Sequence, residues 1–252
     1  MIDTEQTAFI QQIRTALKHT DADGTRLHGL IQNSPEEADR TVLSRIQDRD
    51  RKGRLKLLER LNQIGQSVNV DVTPARSPAD VSDAIAKIVA DRNPEWGDRK
   101  SVVAWNHPLV NSLDLFNALE PLNIPVHAPQ TATADSGASP FRRRAETALI
   151  GVTSADFALA ETATLTMKTR TGQPLYVSLL PSIHIAVIGL DQILSNLKEL
   201  YTLLKWDPVQ QAEGLTNTMT FITGPSKTAD IEATMVQGAH GPREVHIFVR
   251  VE

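Results

Sequence analysis

The sequence predicts an α/β protein, an open, parallel, doubly wound sheet preceded by a helical N-terminal extension. Three observations carry this. From Val68 onward, short apolar runs alternate with helical patterns, the rhythm of parallel strands joined by right-handed crossovers. Before Val68 the apolar residues recur at helical spacing, as in Phe9, Ile13 and Leu17. Between Gly151 and Leu190 nearly every run is strand-like, so hairpins are expected to extend the sheet. Residues 1–65 are therefore read as the helical extension and residues 66–252 as the α/β domain, with no internal repeat and no clean linker.

Each element has its own signal. Residues 4–18 read as a helix and the polar stretch Thr20 to Asn33 as a connector. Ser34-Pro35-Glu36-Glu37 supplies an N-cap, a proline at the first helical position and a capping-box acid. The helix it opens is expected to run to about Ile64, bent near Gly53. The run VNVDV is the first strand, and Ser77-Pro78 opens a helix carrying Val81, Ile85 and Ile88. The strand SVVAW precedes a helix with Leu115 and Leu119. The strand IPVHA leads through a loop to a helix from Phe141 to Leu149. That loop, Pro129 to Pro140, is rich in Ala, Thr and Ser and reads either as a flap over a pocket or as an ordinary surface loop. The strand-like runs after Gly151 are separated by Arg170-Thr171-Gly172-Gln173, residues 191–205 return to helix, and TMTFIT and VHIFVRV are the last strands.

Composition narrows the function classes. The 252 residues are 40% hydrophobic and 22% charged, ordinary for a globular protein, and a net charge of -4 gives no general affinity for polyanions. The stretch from Arg40 to Arg60 holds eight Lys or Arg. It is interleaved with Val42, Leu43, Ile46, Leu57 and Leu58 at helical spacing, so it reads as a solvated helix face rather than a nucleic acid arm. The chain has no cysteine, which excludes disulfides, thiolate nucleophiles and a cysteine-held iron–sulfur cluster. Electrons moving through such clusters would need another chain. The N-terminus is acidic and polar, and no run approaches the roughly 20 apolar residues of a membrane span, so the expected setting is cytoplasmic without membrane insertion.

Candidate chemistry concentrates near the end of the chain. The run Thr218 to Thr223 breaks at Gly224-Pro225-Ser226, and Lys227, Thr228, Asp230, Glu232 and His240 follow. Open α/β sheets bind ligands beyond their strand ends. Glycine and proline shape a tight exit, and Ser226 or Thr228 is placed to cap a following helix whose free N–H groups, with Lys227, attract an anion. The same residues also fit a plain capped helix with Asp230 and Glu232 at its positive end. His240, in a glycine-flanked turn, either reaches the pocket or satisfies a loop carbonyl. Glu161 falls where an apolar strand meets its turn, beside the hydroxyls of Thr162 and Thr164. A carboxylate held there has a raised pKa suited to a general base or nucleophile, the alternative being a solvated turn residue. Asp156 either caps a turn or supports the same pocket. His184, flanked by isoleucines, reads as a core histidine or as part of a two-His, one-carboxylate set with Glu232 and His240, and no metal is assigned. GPSKT lacks Walker A spacing, and no G-x-G-x-x-G fingerprint supports a dinucleotide.

Three segments in order, ADFALAET-x-TL at 155–165, LPSIHIAVI at 180–188 and TGPSKTADIE...GAHGPREVHIFV at 223–249, resemble the LUD domain of the lactate utilisation protein C (LutC) family. The family usually reads E-T-G-T where this chain has Ala163, so if that position requires positive φ the turn presenting Glu161 is altered. The resemblance implies a Rossmann-like fold similar to the NagB/RpiA/CoA-transferase group. It also implies participation in oxidation of L-lactate to pyruvate with iron–sulfur partner proteins. In the related enzymes a pocket carboxylate does the chemistry, which points to Glu161 by fold analogy. On this reading Lys227 and the Gly224–Thr228 amides hold the carboxylate of a small 2-hydroxy or 2-oxo acid, and Glu161 or His240 accepts the proton. The alternatives are a stand-alone acyl-CoA or sugar-phosphate enzyme on the same fold and a non-catalytic assembly or regulatory subunit.

Overall fold

The structure, a computed structural model, describes residues 12, 13, 15, 16, 34–95, 99–129, 139–214, 218–229, 235–237 and 241–252, without the side chains of 228, 229 and 235–237. The chain divides into two compact units, residues 1–41 and 42–252. In the first, residues 12, 13, 15 and 16 are helical.

In place of the single helix expected to reach Ile64 there are two, α1 (Glu37–Gln47) and α2 (Arg51–Ser67). The break is at Asp50 rather than at Gly53. Asp50 is extended, with φ -68° and ψ 170°, and its Oδ1 accepts a hydrogen bond from Gly53 N at 2.7 Å, a cap that contributes about 1 kcal/mol. The buried face of α2 carries Leu58 and Leu61. A stronger start signal opens α3 (Pro78–Asp91): Ser77 Oγ accepts from Asp80 N, and the Asp80 carboxylate accepts from Ser77 N and Arg76 N. These donors hold the Asp80 carboxyl below its ordinary pKa.

The described residues form a six-stranded, entirely parallel sheet with the order β1 (Val70–Ala75), β12 (Glu244–Arg250), β7 (Ile183–Gly189), β4 (Ile150–Thr153), β2 (Val102–Ala104) and β3 (Val126–His127). Alternate residues of β7 feed opposite faces. Ala186 and Ile188 join a cluster with Leu61 of α2, whereas Ile183, Ile185 and Val187 join Val81, Ile85 and Val89 of α3. Both faces are therefore covered, as an all-parallel sheet requires. Each such fully buried aliphatic side chain contributes about 1.5–3 kcal/mol.

The region after Gly151 departs from expectation. The hairpin does not extend the parallel sheet. Strands β5 (Phe157–Leu159) and β6 (Thr164–Lys168) pair with each other and with β8 (Ile193–Leu194) and β9 (Met219–Thr223) in a separate sheet of order β8-β5-β6-β9. Residues Leu175–Ser178, expected as strand, form a 3₁₀ turn against the parallel sheet. Gly151 permits that approach, because a Cβ there would lie 1.9 Å from the Val177 carbonyl oxygen. Two short helices, α4 (Pro108–Asn111) and α5 (Leu115–Leu119), follow β2, and α6 (Pro140–Thr147) precedes β4. The helical segment after β8 is α7 (Leu197–Trp206) and α8 (Pro208–Glu213). The flap reading of Pro129 to Pro140 falls mainly on residues 130–138, outside the described residues.

Candidate functional site

The strand order fixes where a crevice opens. After β2 the chain moves outward to β3, then returns to place β4 on the other side of β2, so the winding reverses between β2 and β4. The carboxyl ends flanking a reversal splay apart and leave room for a ligand. A cavity of about 380 Å³ lies there. Its walls include Trp105 and His107 beyond β2, Ser154 to Asp156 beyond β4, and Arg170 from the end of the β5–β6 hairpin.

Each wall is fixed by hydrogen bonds. Trp105 is buried and donates from Nε1 to the Pro174 carbonyl at 2.9 Å. Gln192, just past β7, accepts from Gly189 N at 2.6 Å and donates to the Ala155 carbonyl, tying the loop after β4 to the end of β7. His107 is the N-cap of α4, and its Nδ1 accepts from Leu109 N at 3.2 Å. Burial lowers its pKa; the Asp156 charge opposes this and the Arg170 charge adds to it. A neutral imidazole whose Nδ1 lone pair is already used carries its proton on Nε2, so His107 is equipped to donate to a ligand rather than to take a proton.

Behind His107 is a charge network. Asp156 accepts from Lys168 N and pairs with Arg170 Nη2, both at 2.6 Å. Arg170 also pairs with Glu213 of α8. Lys168, 2% exposed, donates from Nζ to Gln210 at 2.7 Å and to Glu213 at 2.5 Å. Burial alone would raise the Glu213 carboxyl, but hydrogen bonds from Lys168 and Arg170 overcome it and its pKa falls. Burial likewise works against the Arg170 guanidinium, and Asp156 and Glu213 reverse that. The cavity thus combines a fixed cation, a neutral N–H donor and a carboxylate, a set suited to a small polar anion with a second oxygen. Among the described residues no group of three or more His, Cys, Asp or Glu side chains is arranged to hold a metal ion.

The residues predicted from sequence are distributed differently. Glu161 and Thr162 are exposed at the tip of the β5–β6 hairpin, the end opposite Asp156 and Arg170, so Glu161 is not the carboxylate sheltered at an apolar strand end that its position suggests. Its backbone N–H donates to the Ser195 carbonyl at 3.0 Å. The tip does meet the end of β9: Thr162 and Thr164 share a hydrogen bond at 2.7 Å, and so do Thr164 and Thr223. Ala163 has φ +49°, the left-handed conformation for which glycine is favoured. Gly224 has φ +76°, and a Cβ there would lie 2.5 Å from the Val68 carbonyl oxygen.

Beyond Gly224 the expected capped helix is replaced by a hairpin. Ser226 N donates to the Pro242 carbonyl, and Lys227 to Ala229 form β10, antiparallel to β11 (Met235–Gln237). Among the described residues no helix starts after Ser226, so Lys227 and Thr228 stand on a strand rather than at the free N–H groups of a helix start. Moreover, β9 is an edge strand of the smaller sheet and not a strand of the parallel one. Asp230, Glu232 and His240 lie outside the described residues. His184 is fully buried in β7, bonded through Nε2 to Thr153 Oγ1 at 2.8 Å, and burial drives its pKa down to about 3. It is a neutral core residue of the parallel sheet.

Sequence reasoning missed His107, Lys168, Arg170 and Gln192. Asp156 stands in the sequence reading either as a turn cap or as a support of the pocket. The available signal was the pair of polar exits, Asn106-His107 after one apolar run and Ser154-Ala155-Asp156 after another, which become one site only when β4 is known to return beside β2.

The family model described as LUD domain matches residues 58–249. Lactate utilization protein C of Halalkalibacterium halodurans is 32% identical over 153 residues, 60% of this chain and 63% of that protein. The protein of the same description from Bacillus velezensis is 35% identical over 109 residues, 43% of this chain and 44% of the relative. The matched region spans less than two thirds of the length of these curated relatives. A DUF162 family protein from Deinococcus radiodurans, known from its crystal structure, superposes with a TM-score of 0.50 at 22% identity, covering 78% of this chain and 98% of the other, which is a likeness of fold. The match across residues 58–249 places this chain in the LUD domain family.

Proposed function

We propose that the protein is a component of an L-lactate utilisation system and that the cavity at the β2/β4 reversal binds a small 2-hydroxy or 2-oxo acid. The observation that carries this is that Arg170 and a neutral His107 line one crevice, in a chain that shares its family with proteins described as lactate utilization protein C. Arg170 holds the carboxylate, and His107 Nε2–H donates to the oxygen on C2, where negative charge grows as the hydroxyl becomes a carbonyl. Asp156 takes the hydroxyl proton. The C2–H bond breaks in the same oxidation, and its two electrons and proton pass together, as a hydride equivalent, to the oxidising centre of iron–sulfur partner proteins in the cytoplasm, since a chain without cysteine has no thiolate to hold such a cluster itself. The likeness to the NagB/RpiA/CoA-transferase group belongs to the same proposal.

A second reading keeps the ligand at the hairpin tip, with Lys227 and the Gly224 turn on the carboxylate and Glu161 or His240 as base. The hydroxyl chain from Thr162 through Thr164 to Thr223 favours it, because it joins the two turns. Complementation separates the two. His107→Asn retains an N-cap side chain but removes Nε2–H, and loss of one such donor costs about 100-fold in turnover. A strain lacking the protein should regain growth on L-lactate with Glu161→Gln but not with His107→Asn or Arg170→Gln. Full growth with the last two would overturn the crevice reading.

A further inference from the structure

Helix α8 (Pro208–Glu213) forms part of the crevice wall through Gln210, yet no apolar packing holds it there. None of its residues is buried, none joins a core cluster, and Val209 is 70% exposed. Its start is tied to the end of α7. The Asp207 N-cap accepts from Val209 N and Gln210 N at 3.0 and 3.1 Å, and Gln211 donates to the Lys205 carbonyl at 2.6 Å. Its other end is tied by charge. Glu213 Oε1 accepts from Arg170 Nε at 2.7 Å and from Arg170 Nη2, while Oε2 accepts from Lys168 Nζ at 2.5 Å. The chain then leaves through Gly214 at φ +79°, where an added Cβ would meet nothing within 4 Å. A segment with so few buried apolar contacts opens at low cost.

This tie falls on the group that the crevice offers to a carboxylate. Nε and Nη2 make one edge of the guanidinium, the fork that receives a carboxylate through two N–H groups. Glu213 holds that edge, and Asp156 shares Nη2 at 2.6 Å. The Nζ of Lys168 is likewise bonded from α8, by Gln210 at 2.7 Å and by Glu213. Two cations at the base of the β5–β6 hairpin are thus covered by one short helix.

We propose that α8 is a gate on the crevice and that the Glu213 carboxylate is an internal competitor, displaced from Arg170 by the carboxylate of the ligand as α8 swings out about Asp207. The inference rests on the crevice reading of Arg170 and adds the regulation of that site. One carboxylate replaces another on the same guanidinium, so the apparent affinity of the ligand is reduced by the fraction of molecules whose gate is open. Departure of Gln210 and Glu213 also uncovers Lys168, and the open crevice gains a second cation.

Glu213→Gln tests the gate, because the amide oxygen still accepts from Lys168 while the charge that holds Arg170 is removed. The full-length variant and wild type are compared by hydrogen exchange without ligand and by calorimetric titration with pyruvate. The variant should exchange faster at the α8 amides, with those of β7 unchanged, and should bind pyruvate about tenfold tighter, the equivalent of one charged hydrogen bond. Asp191→Asn, the same loss of charge next to Gln192, should change neither. Unchanged α8 exchange, or equal or weaker pyruvate binding by Glu213→Gln, would overturn the gate. If neither protein binds pyruvate up to about 10 mM, the 2-oxo acid reading fails by itself, and formate takes the place of pyruvate in the titration. Tighter formate binding by the variant then upholds the gate, and equal or absent binding overturns it.

Discussion

The two ends of the β5–β6 hairpin behave differently. At its base, Asp156, Lys168 and Arg170 are drawn into a network with Glu213 and Gln210 at the carboxyl edge of the parallel sheet. At its tip, Glu161 and Thr162 are exposed, and the contacts to β9 are between neutral hydroxyls. The tip carries a single ionisable residue, Glu161, whereas the base gathers Asp156, Lys168 and Arg170 with Glu213.

Substitutions can break this contrast. The larger effect is expected at the base: Glu213→Ala leaves Lys168 buried with only Gln210, and should destabilise the fold by about 2 kcal/mol, below the usual cost of breaking a buried pair because Gln210 remains. Denaturant unfolding measures it, and a change within error would mean the network contributes little rigidity. The smaller effect is expected at the tip and has the opposite sign. Ala163→Gly relieves a left-handed alanine and should stabilise by about 0.5 kcal/mol, seen as a slight rise in Tm, with no change in ligand binding. A loss of binding in that variant would return weight to the turn that presents Glu161.

Much of the fold was legible in the sequence. The alternation after Val68 gave the parallel strands, and Ser77-Pro78 marked the start of α3. Two features were not. Apolar runs of similar length built both sheets, so periodicity alone did not reveal that β5, β6 and β9 leave the parallel sheet for one of their own. The break between α1 and α2 turned on a local competition in which the Asp50 side chain outbid continued helix, while the eye is drawn to Gly53. For the site, the family motifs were visible, but strand order was not. His107 and Arg170 are 63 positions apart in the numbering and meet only because the winding reverses between β2 and β4. His184 shows the converse: a histidine within a motif that the fold uses as a neutral buried residue bonded to Thr153.

Calorimetric titration with pyruvate, comparing wild type, Arg170→Gln and Lys227→Ala after each is shown to be folded by its Tm, locates the ligand carboxylate. A ligand carboxylate held at the β2/β4 crevice predicts that Arg170→Gln loses about tenfold or more in affinity while Lys227→Ala binds as the wild type does. Unchanged binding in Arg170→Gln together with loss in Lys227→Ala would move the site to the hairpin tip and contradict the account.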